Sequence, residues 1–184
     1  MSERYKVIDS SQPTFITLTI THWTDLFIRK EYYNILDETL KFYIENKGLK
    51  VHAYVYMTSH IHLIVSSNKI EIQDFVRGFK SYTSKEFLPI INHQIESRKE
   101  WLLAKFSYAA NRIARGGNNK IWKDGFHPVL LDTNYKIQQR VEYIHYNPID
   151  AGFVFHERDW ANSSYRKYED EKECMILELL DFSQ

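Results

Sequence analysis

The sequence predicts an α+β fold of the ferredoxin-like (RRM-like) class, an antiparallel sheet with helices packed on one face. Three observations predict it: apolar and hydroxyl residues alternate over residues 14–21, strand-like runs follow at 50–57 and 61–66, and helical periodicity separates and follows these runs. The resulting order of strand, helix, strand, strand, helix and strand is the ferredoxin-like pattern. A chain of 184 residues is long enough to bury one substantial core.

The two helices of this pattern are predicted from apolar spacing and stop signals. Apolar residues recur at helical intervals over residues 31–46, and Gly48 stands where a C-terminal stop is expected. A second helix is predicted over residues 71–88, with Pro89 ending it because proline lacks the backbone donor that a helix interior needs.

The second half of the chain gives weaker signals. Residues 90–113 are ambiguous and are predicted to be partly helical, residues 116–119 (GGNN) form a loop, and residues 121–131 contain strand-like material. A cap at position 133 or 134 predicts a last helix that ends near Asn147, because Pro148 restricts the residue before it.

Composition favours a soluble cytoplasmic protein. Residues 1–13 lack an apolar signal core, no apolar run approaches the ~20 residues that span a bilayer, and Cys174 is the one cysteine. We therefore expect an N-terminal extension at 1–13, a single domain at 14–167 and an acidic tail at 168–184.

The net charge of zero hides a local asymmetry. Residues 98–123 contain seven basic residues and one acid, whereas residues 169–184 contain six acids and one lysine. The basic segment is either a local phosphate-binding face or an ordinary solvated surface.

The most informative motif is the triplet His60-Ile61-His62 inside an apolar, β-branched run. A strand places residues i and i+2 on one face, so both imidazoles are expected to point the same way. If the strand lies at the edge of the sheet, the two imidazoles are simply solvated. If the strand is buried, they need a polar partner, and a divalent metal ion is such a partner.

A second motif pairs Tyr143 with Asn147, one helical turn apart. The tyrosine is either a core residue or a nucleophile, and Tyr146 is its rival for a catalytic role. Asn147 is either a helix-terminal residue or an oxygen ligand to a metal at the histidine pair. His145 is expected to face away from Tyr143 on the helix.

Three stretches together resemble the single-tyrosine transposases of the HUH superfamily, in the bacterial branch of REP-associated tyrosine (IS200-like) transposases. They are residues 58–65 (TSHIHLIV), 143–154 (YIHYNPIDAGFV) and 160–165 (WANSSY). The resemblance covers about residues 14–167 and implies that His60, His62 and Asn147 bind Mg²⁺ or Mn²⁺. It also implies that Tyr143 is the nucleophile.

The resemblance implies a DNA strand-transfer enzyme that cleaves and rejoins single-stranded or hairpin DNA through a 5′-phosphotyrosine intermediate. No nucleotide cofactor is implied, and whether the protein forms a homodimer stays open. Two other functions remain open: a non-catalytic or repurposed hairpin-binding protein on the same fold, and a small metal-dependent hydrolase. The candidate phosphate contacts are Arg77, Lys80, Arg112, Arg115 and Lys123.

Overall fold

A four-stranded antiparallel sheet forms the centre of the fold. The computed structural model describes residue 7 and residues 9–93, 96–112 and 118–169. The strands are β1 (Thr14–Thr19), β2 (Leu49–Tyr56), β3 (His60–Ser67) and β4 (Val129–Leu130), in the spatial order β2-β3-β1-β4. Strands β1 and β3 therefore lie in the middle of the sheet.

The helices connect these strands in the predicted order. They are α1 (Lys30–Lys47), α2 (Ile72–Asn92), α3 (Lys99–Asn111), α4 (Asn134–Asp150) and the single turn α5 (Tyr165–Tyr168). None of the helices in the described part of the chain combines the length and apolar character that crossing a membrane requires. The predicted ferredoxin-like α+β fold is confirmed.

The two faces of the sheet pack against different helices. On β3, Ile61 and Leu63 belong to a core shared with α1 and α2, which lie together on one face as predicted. Ile64 belongs to a second core, which α4 closes with Val141 and Ile144. Because side chains alternate along a strand, His60 and His62 share the face of Ile64 and point towards α4.

The predicted helix ends at Pro89 and Pro148 are wrong, because both prolines lie inside their helices. Beyond Pro89, Ile91 is fully buried in the main core, and this burial outweighs the missing backbone hydrogen bond. Beyond Pro148, the Phe153 N–H donates to the Pro148 carbonyl at 2.9 Å and closes the last turn of α4.

Two predicted helix signals are present as expected. Gly48 ends α1 in the left-handed conformation, with φ of 67°, and its N–H donates to the Tyr43 carbonyl. Thr133 caps α4 by accepting a hydrogen bond from the Lys136 N–H at 3.3 Å. The predicted loop at 116–119 falls partly outside the described residues.

The segment 160–168 covers the outer edge of β2. The Asn162 carbonyl accepts a hydrogen bond from the Tyr56 N–H at 2.8 Å, and the Ser164 N–H donates to the Tyr54 carbonyl at 2.9 Å. The indole of Trp160 also donates to the Tyr56 carbonyl at 3.0 Å. The WANSSY motif therefore satisfies backbone groups that an uncovered edge strand would expose.

The chain before β1 packs against the sheet. The Ser10 carbonyl accepts from the Ser67 N–H at 2.6 Å, and the Ser10 hydroxyl donates to Glu71 at 2.8 Å. Val7 is buried in the main core. The other predicted terminal residues, 1–6, 8 and 170–184, lie outside the described residues, so the domain boundaries stay predictions.

Candidate active site

The antiparallel pairing of β1 and β3 positions the two histidines. His60 pairs with Thr19 and His62 pairs with Thr17. Their imidazole centroids are 4.8 Å apart. The structure thus brings the two predicted metal ligands together on the face of the sheet that α4 covers.

His62 has one ring nitrogen held and the other unpaired. The Thr17 hydroxyl lies 2.9 Å from Nδ1, and the Phe15 ring stacks on the imidazole with centroids 5.2 Å apart. Nε2 is buried and has no hydrogen-bond partner among the described residues. When Nδ1–H donates to Thr17, Nε2 keeps a lone pair, which is the form that binds a metal ion.

The surroundings keep His62 neutral. Burial, then the neighbouring His60 and the cation of Arg140, lower the pKa of His62 to about 3. At physiological pH the ring therefore does not need to lose a proton before it can act as a ligand.

His60 lies between the strand and α4. Its Nδ1 is 3.2 Å from the Ser59 hydroxyl, and the Asn147 side chain hydrogen-bonds the ring. Burial lowers the pKa of His60, while Asn147 and the carboxylate of Asp25 partly offset the effect. The amide predicted as the third ligand is therefore in direct contact with the first histidine.

Helix α4 places Tyr143 one turn before Asn147 and against His62. The rings of Tyr143 and His62 are 5.4 Å apart in an edge-on contact, and Phe15 lies 5.9 Å from the same tyrosine. Tyr143 is 43% exposed, so the residue is open to solvent while its ring keeps these contacts.

The rival tyrosine, Tyr146, lies three residues after Tyr143 on α4. It is exposed, and it lines a groove together with Tyr143, Glu142 and Tyr165. In the described part of the chain, the ring contacts of His60 and His62 include Tyr143 but not Tyr146. This geometry favours Tyr143 as the residue that acts beside the histidines.

His145 faces away from this site, as predicted. Its Nε2 is 2.8 Å from the Ser164 hydroxyl, and burial lowers its pKa to about 4. Ser164 also accepts from the Tyr54 N–H at 2.9 Å. His145 therefore helps to anchor α4 to the segment that covers β2.

Arg140 is a site residue that the sequence analysis missed. Its guanidinium carbon lies 5.1 Å from the centre of the Phe15 ring and 5.6 Å from that of Tyr143. Arginine three positions before tyrosine lies on the same side of a helix, and this spacing is the signal that could have found it.

The predicted phosphate contacts are dispersed. Arg77 is exposed on α2 and forms an ion pair with Asp74 at 3.0 Å. Lys123 is also exposed, and its backbone N–H donates to the Thr19 carbonyl, beside strand β3. Arg115 lies outside the described residues.

The side chains of Lys80 and Arg112 differ in their contacts within the protein and in their exposure to solvent. The ammonium of Lys80 donates to the backbone carbonyls of Lys123 and Gly125, and burial lowers its pKa to about 8. Lys80 therefore holds the 123–125 segment in place, and its role as a phosphate contact stays a prediction. Arg112 is exposed at the end of α3, beside Tyr108.

The donor set suits a mixed nitrogen and oxygen site. Within the described residues, no three His, Cys, Asp or Glu side chains group together in a way that could hold a metal ion. A metal at the histidine pair would therefore take its further protein ligand from the Asn147 amide. Two imidazoles and an amide oxygen leave coordination positions for phosphate oxygens and water.

Comparison with known proteins shows the family to which this chain, with its ferredoxin-like sheet and tyrosine-bearing helix, belongs. Residues 16–147 match the family model described as "Transposase IS200 like". The match spans more than half of the chain, so the chain belongs to the IS200-like transposase family.

One solved structure supports the fold, and a second is a weaker match. A REP-associated tyrosine transposase, solved bound to a REP hairpin, is 18% identical with a TM-score of 0.63, and the match covers 100% of this chain and 96% of that one. A putative transposase from Deinococcus radiodurans R1 is 15% identical with a TM-score of 0.44, covering 79% of this chain and 95% of that one. None of the curated proteins matches this chain.

Proposed function

We propose that this protein is a metal-dependent strand-transfer enzyme that cleaves and rejoins single-stranded DNA through Tyr143. One observation carries the proposal: α4 sets Tyr143 against His62 and, one turn later, Asn147 against His60. A tyrosine hydroxyl and three side chains that can bind a metal ion thus lie together within one chain. The catalytic domain is proposed to span residues 14–167.

The residues fit a divalent cation, Mg²⁺ or Mn²⁺. The unpaired, buried Nε2 of His62 needs a partner, and His60 and Asn147 lie beside it. A bound ion would supply Lewis-acid stabilisation of the charge that develops on phosphate oxygens.

The chain's own residues carry out the exchange of bonds. The Tyr143 oxygen forms a bond to phosphorus while the bond from phosphorus to the 3′ oxygen breaks. The 3′ oxygen gains a proton and Tyr143 loses one. The 5′-phosphotyrosine keeps the energy of the phosphodiester, so a second 3′-OH can reverse the step and join new strands without a nucleotide cofactor.

Single-stranded or hairpin DNA is the proposed substrate. The transposase of similar fold was solved with a REP hairpin. In this chain Tyr143 is reached from the surface beside exposed aromatic residues, which can stack on unpaired bases. Because Tyr143 contacts His62 of the same chain, we propose that the nucleophile acts in cis.

Arg140 is proposed to hold the scissile phosphate beside Tyr143. Replacing Arg140 with alanine is expected to slow formation of the covalent adduct by about 100-fold, the effect typical of removing one positioned donor. Arg140→Lys keeps the charge but lacks the planar fork and is expected to be intermediate. Single-turnover adduct formation measures the effect, and Lys136→Ala, one turn earlier on α4, is the matched control. Equal rates for Arg140→Ala and Lys136→Ala would remove Arg140 from the site.

Metal binding is tested independently of activity. His62→Ala is expected to weaken Mn²⁺ binding by at least about 10–100-fold. Losing even a residue that only hydrogen-bonds a metal ligand has an effect of this size. Calorimetric titration of Mn²⁺ into the folded protein measures it. His156→Ala, which changes an exposed histidine, is the control and is expected to bind as the wild type does. Unchanged binding by His62→Ala would reject the assignment of His62.

A further inference from the structure

One side of α3 carries aromatic and basic side chains in alternation. Trp101, Lys105, Tyr108 and Arg112 are spaced by four, three and four residues, which places them along one face of the helix. We call these four residues the aromatic–basic stripe. Trp101 is 47% exposed and Tyr108 is 58% exposed, so both rings are open to solvent.

Each cation of the stripe lies beside the ring that precedes it. The Lys105 ammonium is 4.6 Å from the centre of the Trp101 ring, and the Arg112 guanidinium carbon is 5.8 Å from that of Tyr108. The single acid of α3 is Glu100, which lies outside the stripe. The stripe is therefore a local positive surface on a chain whose net charge is zero.

The stripe leads to the active site through the turn Thr21–Trp23. The ring of His22 is 6.0 Å from that of Tyr108, and the ring of Trp23 is 5.2 Å from that of His60. Trp23 is 57% exposed. A row of rings thus runs from the histidine pair to α3.

The turn itself has an unusual backbone. His22 and Trp23 both have positive φ, at 58° and 53°. Such conformations are unfavourable for residues other than glycine and gather at ligand-binding positions. Here they present Trp23 to solvent at the mouth of the histidine site instead of burying it.

We propose that Trp23, His22 and the aromatic–basic stripe form a track that binds single-stranded DNA beside the cleavage site. The rings stack on unpaired bases while Lys105 and Arg112 neutralise phosphates. Alternation of rings and cations suits a single strand, because the bases of a duplex are stacked on each other and closed to side-chain rings. That this strand is the one cleaved by Tyr143 rests on the proposed function.

The test measures binding of a fluorescein-labelled oligothymidylate by anisotropy. Tyr108→Ala is expected to weaken binding roughly 5- to 150-fold, which is the loss of affinity expected when one base no longer stacks on an aromatic ring. Phe42→Ala removes a similarly exposed ring from α1 and is expected to bind as the wild type does.

Salt dependence gives a second, independent readout. The double variant Lys105→Ala/Arg112→Ala is expected to reduce the slope of log affinity against log salt by about 1.4, because each phosphate that a protein neutralises on a single strand contributes about 0.7 to the slope. Lys41→Ala/Lys47→Ala removes two exposed lysines of α1 and is expected to keep the wild-type slope.

The outcomes separate the track from catalysis. Wild-type affinity and slope in the stripe variants would overturn the track, even where the wild type forms a covalent adduct. Loss of self-association by the stripe variants with unchanged DNA affinity would also overturn it, since the stripe would then be a protein interface. Weaker binding in the stripe variants supports the track even if the wild type forms no adduct, an outcome that would reject the proposed function alone.

Discussion

Replacing Tyr143 with phenylalanine is expected to abolish the covalent protein–DNA adduct while leaving DNA binding intact. The change removes only the phenol oxygen, which is the proposed nucleophile. The ring contacts with His62 and Phe15 remain, so the fold and the histidine pair are preserved. A denaturing gel of protein incubated with Mn²⁺ and labelled hairpin DNA from the flanks of its gene measures the adduct, and a native gel measures binding.

Tyr146→Phe is the matched control because it removes a hydroxyl from a tyrosine of similar exposure on the same helix. It is expected to form the adduct at the wild-type level. Adduct formation by Tyr143→Phe would contradict the assignment. A mixture of the Tyr143→Phe and His62→Ala variants is expected to form no covalent adduct, because the nucleophile and the metal ligands must come from one chain when Tyr143 acts in cis.

The largest effect on stability is expected at Glu96, which joins three parts of the fold. The side chain is completely buried and accepts hydrogen bonds from Arg98 at 2.9 Å and from the Tyr32 hydroxyl at 3.0 Å. Arg29 lies 3.3 Å from the same carboxylate. Glu96→Ala is expected to lower the free energy of unfolding by about 3 kcal/mol, since it leaves two guanidinium groups and a buried hydroxyl without their acceptor.

Chemical denaturation measures this decrease in stability, and Arg77→Ala is the control. Arg77 belongs to an exposed ion pair with Asp74, whose removal is expected to cost at most about 1 kcal/mol. A decrease for Glu96→Ala no greater than that for Arg77→Ala would contradict the network's role.

The same network predicts acid sensitivity. Burial alone would raise the pKa of Glu96, but hydrogen bonds from Arg98 and Tyr32 outweigh it and lower the pKa to about 2 from an ordinary 4.5. The carboxylate's contribution to stability is therefore complete above about pH 4.5 and is lost as the pH falls towards 2.

Local patterns were sufficient to predict the sheet and the first half of the fold. The alternation in β1 and the triplet His60-Ile61-His62 predict which side chains share a face, because a strand directs every second residue to the same side. Gly48 and Thr133 likewise act on their own backbone neighbours. Such signals need no knowledge of tertiary contacts, and the structure shows each of them where it was expected.

The position of α4 could not be predicted in the same way. Its apolar stripe shows that one side is buried but does not say against which face of the sheet. That choice decides whether Tyr143 meets His62, and it depends on the segment 160–168, which anchors α4 through His145 and Ser164. The three-residue spacing from Tyr143 could have indicated Arg140, but its contact with Phe15 joins parts of the chain that lie far apart in sequence and needed the structure.

The contacts of single cations and the positions of prolines within helices depend on tertiary structure. Lys80 donates to two backbone carbonyls, a contact that only the folded chain defines. Pro89 and Pro148 have strong local preferences, yet tertiary packing of the residues around them keeps their helices intact.

In the proposed reaction, Tyr143 forms a covalent bond to DNA beside the His60–His62 pair. Tandem mass spectrometry of the protease-digested adduct, formed by the wild-type protein with Mn²⁺ and labelled hairpin DNA, tests this bond most directly. We expect a nucleotide attached through its 5′ phosphate to Tyr143, and no adduct when a chelator is present. Attachment to Tyr146, or strong hairpin binding with no adduct at all, would contradict it.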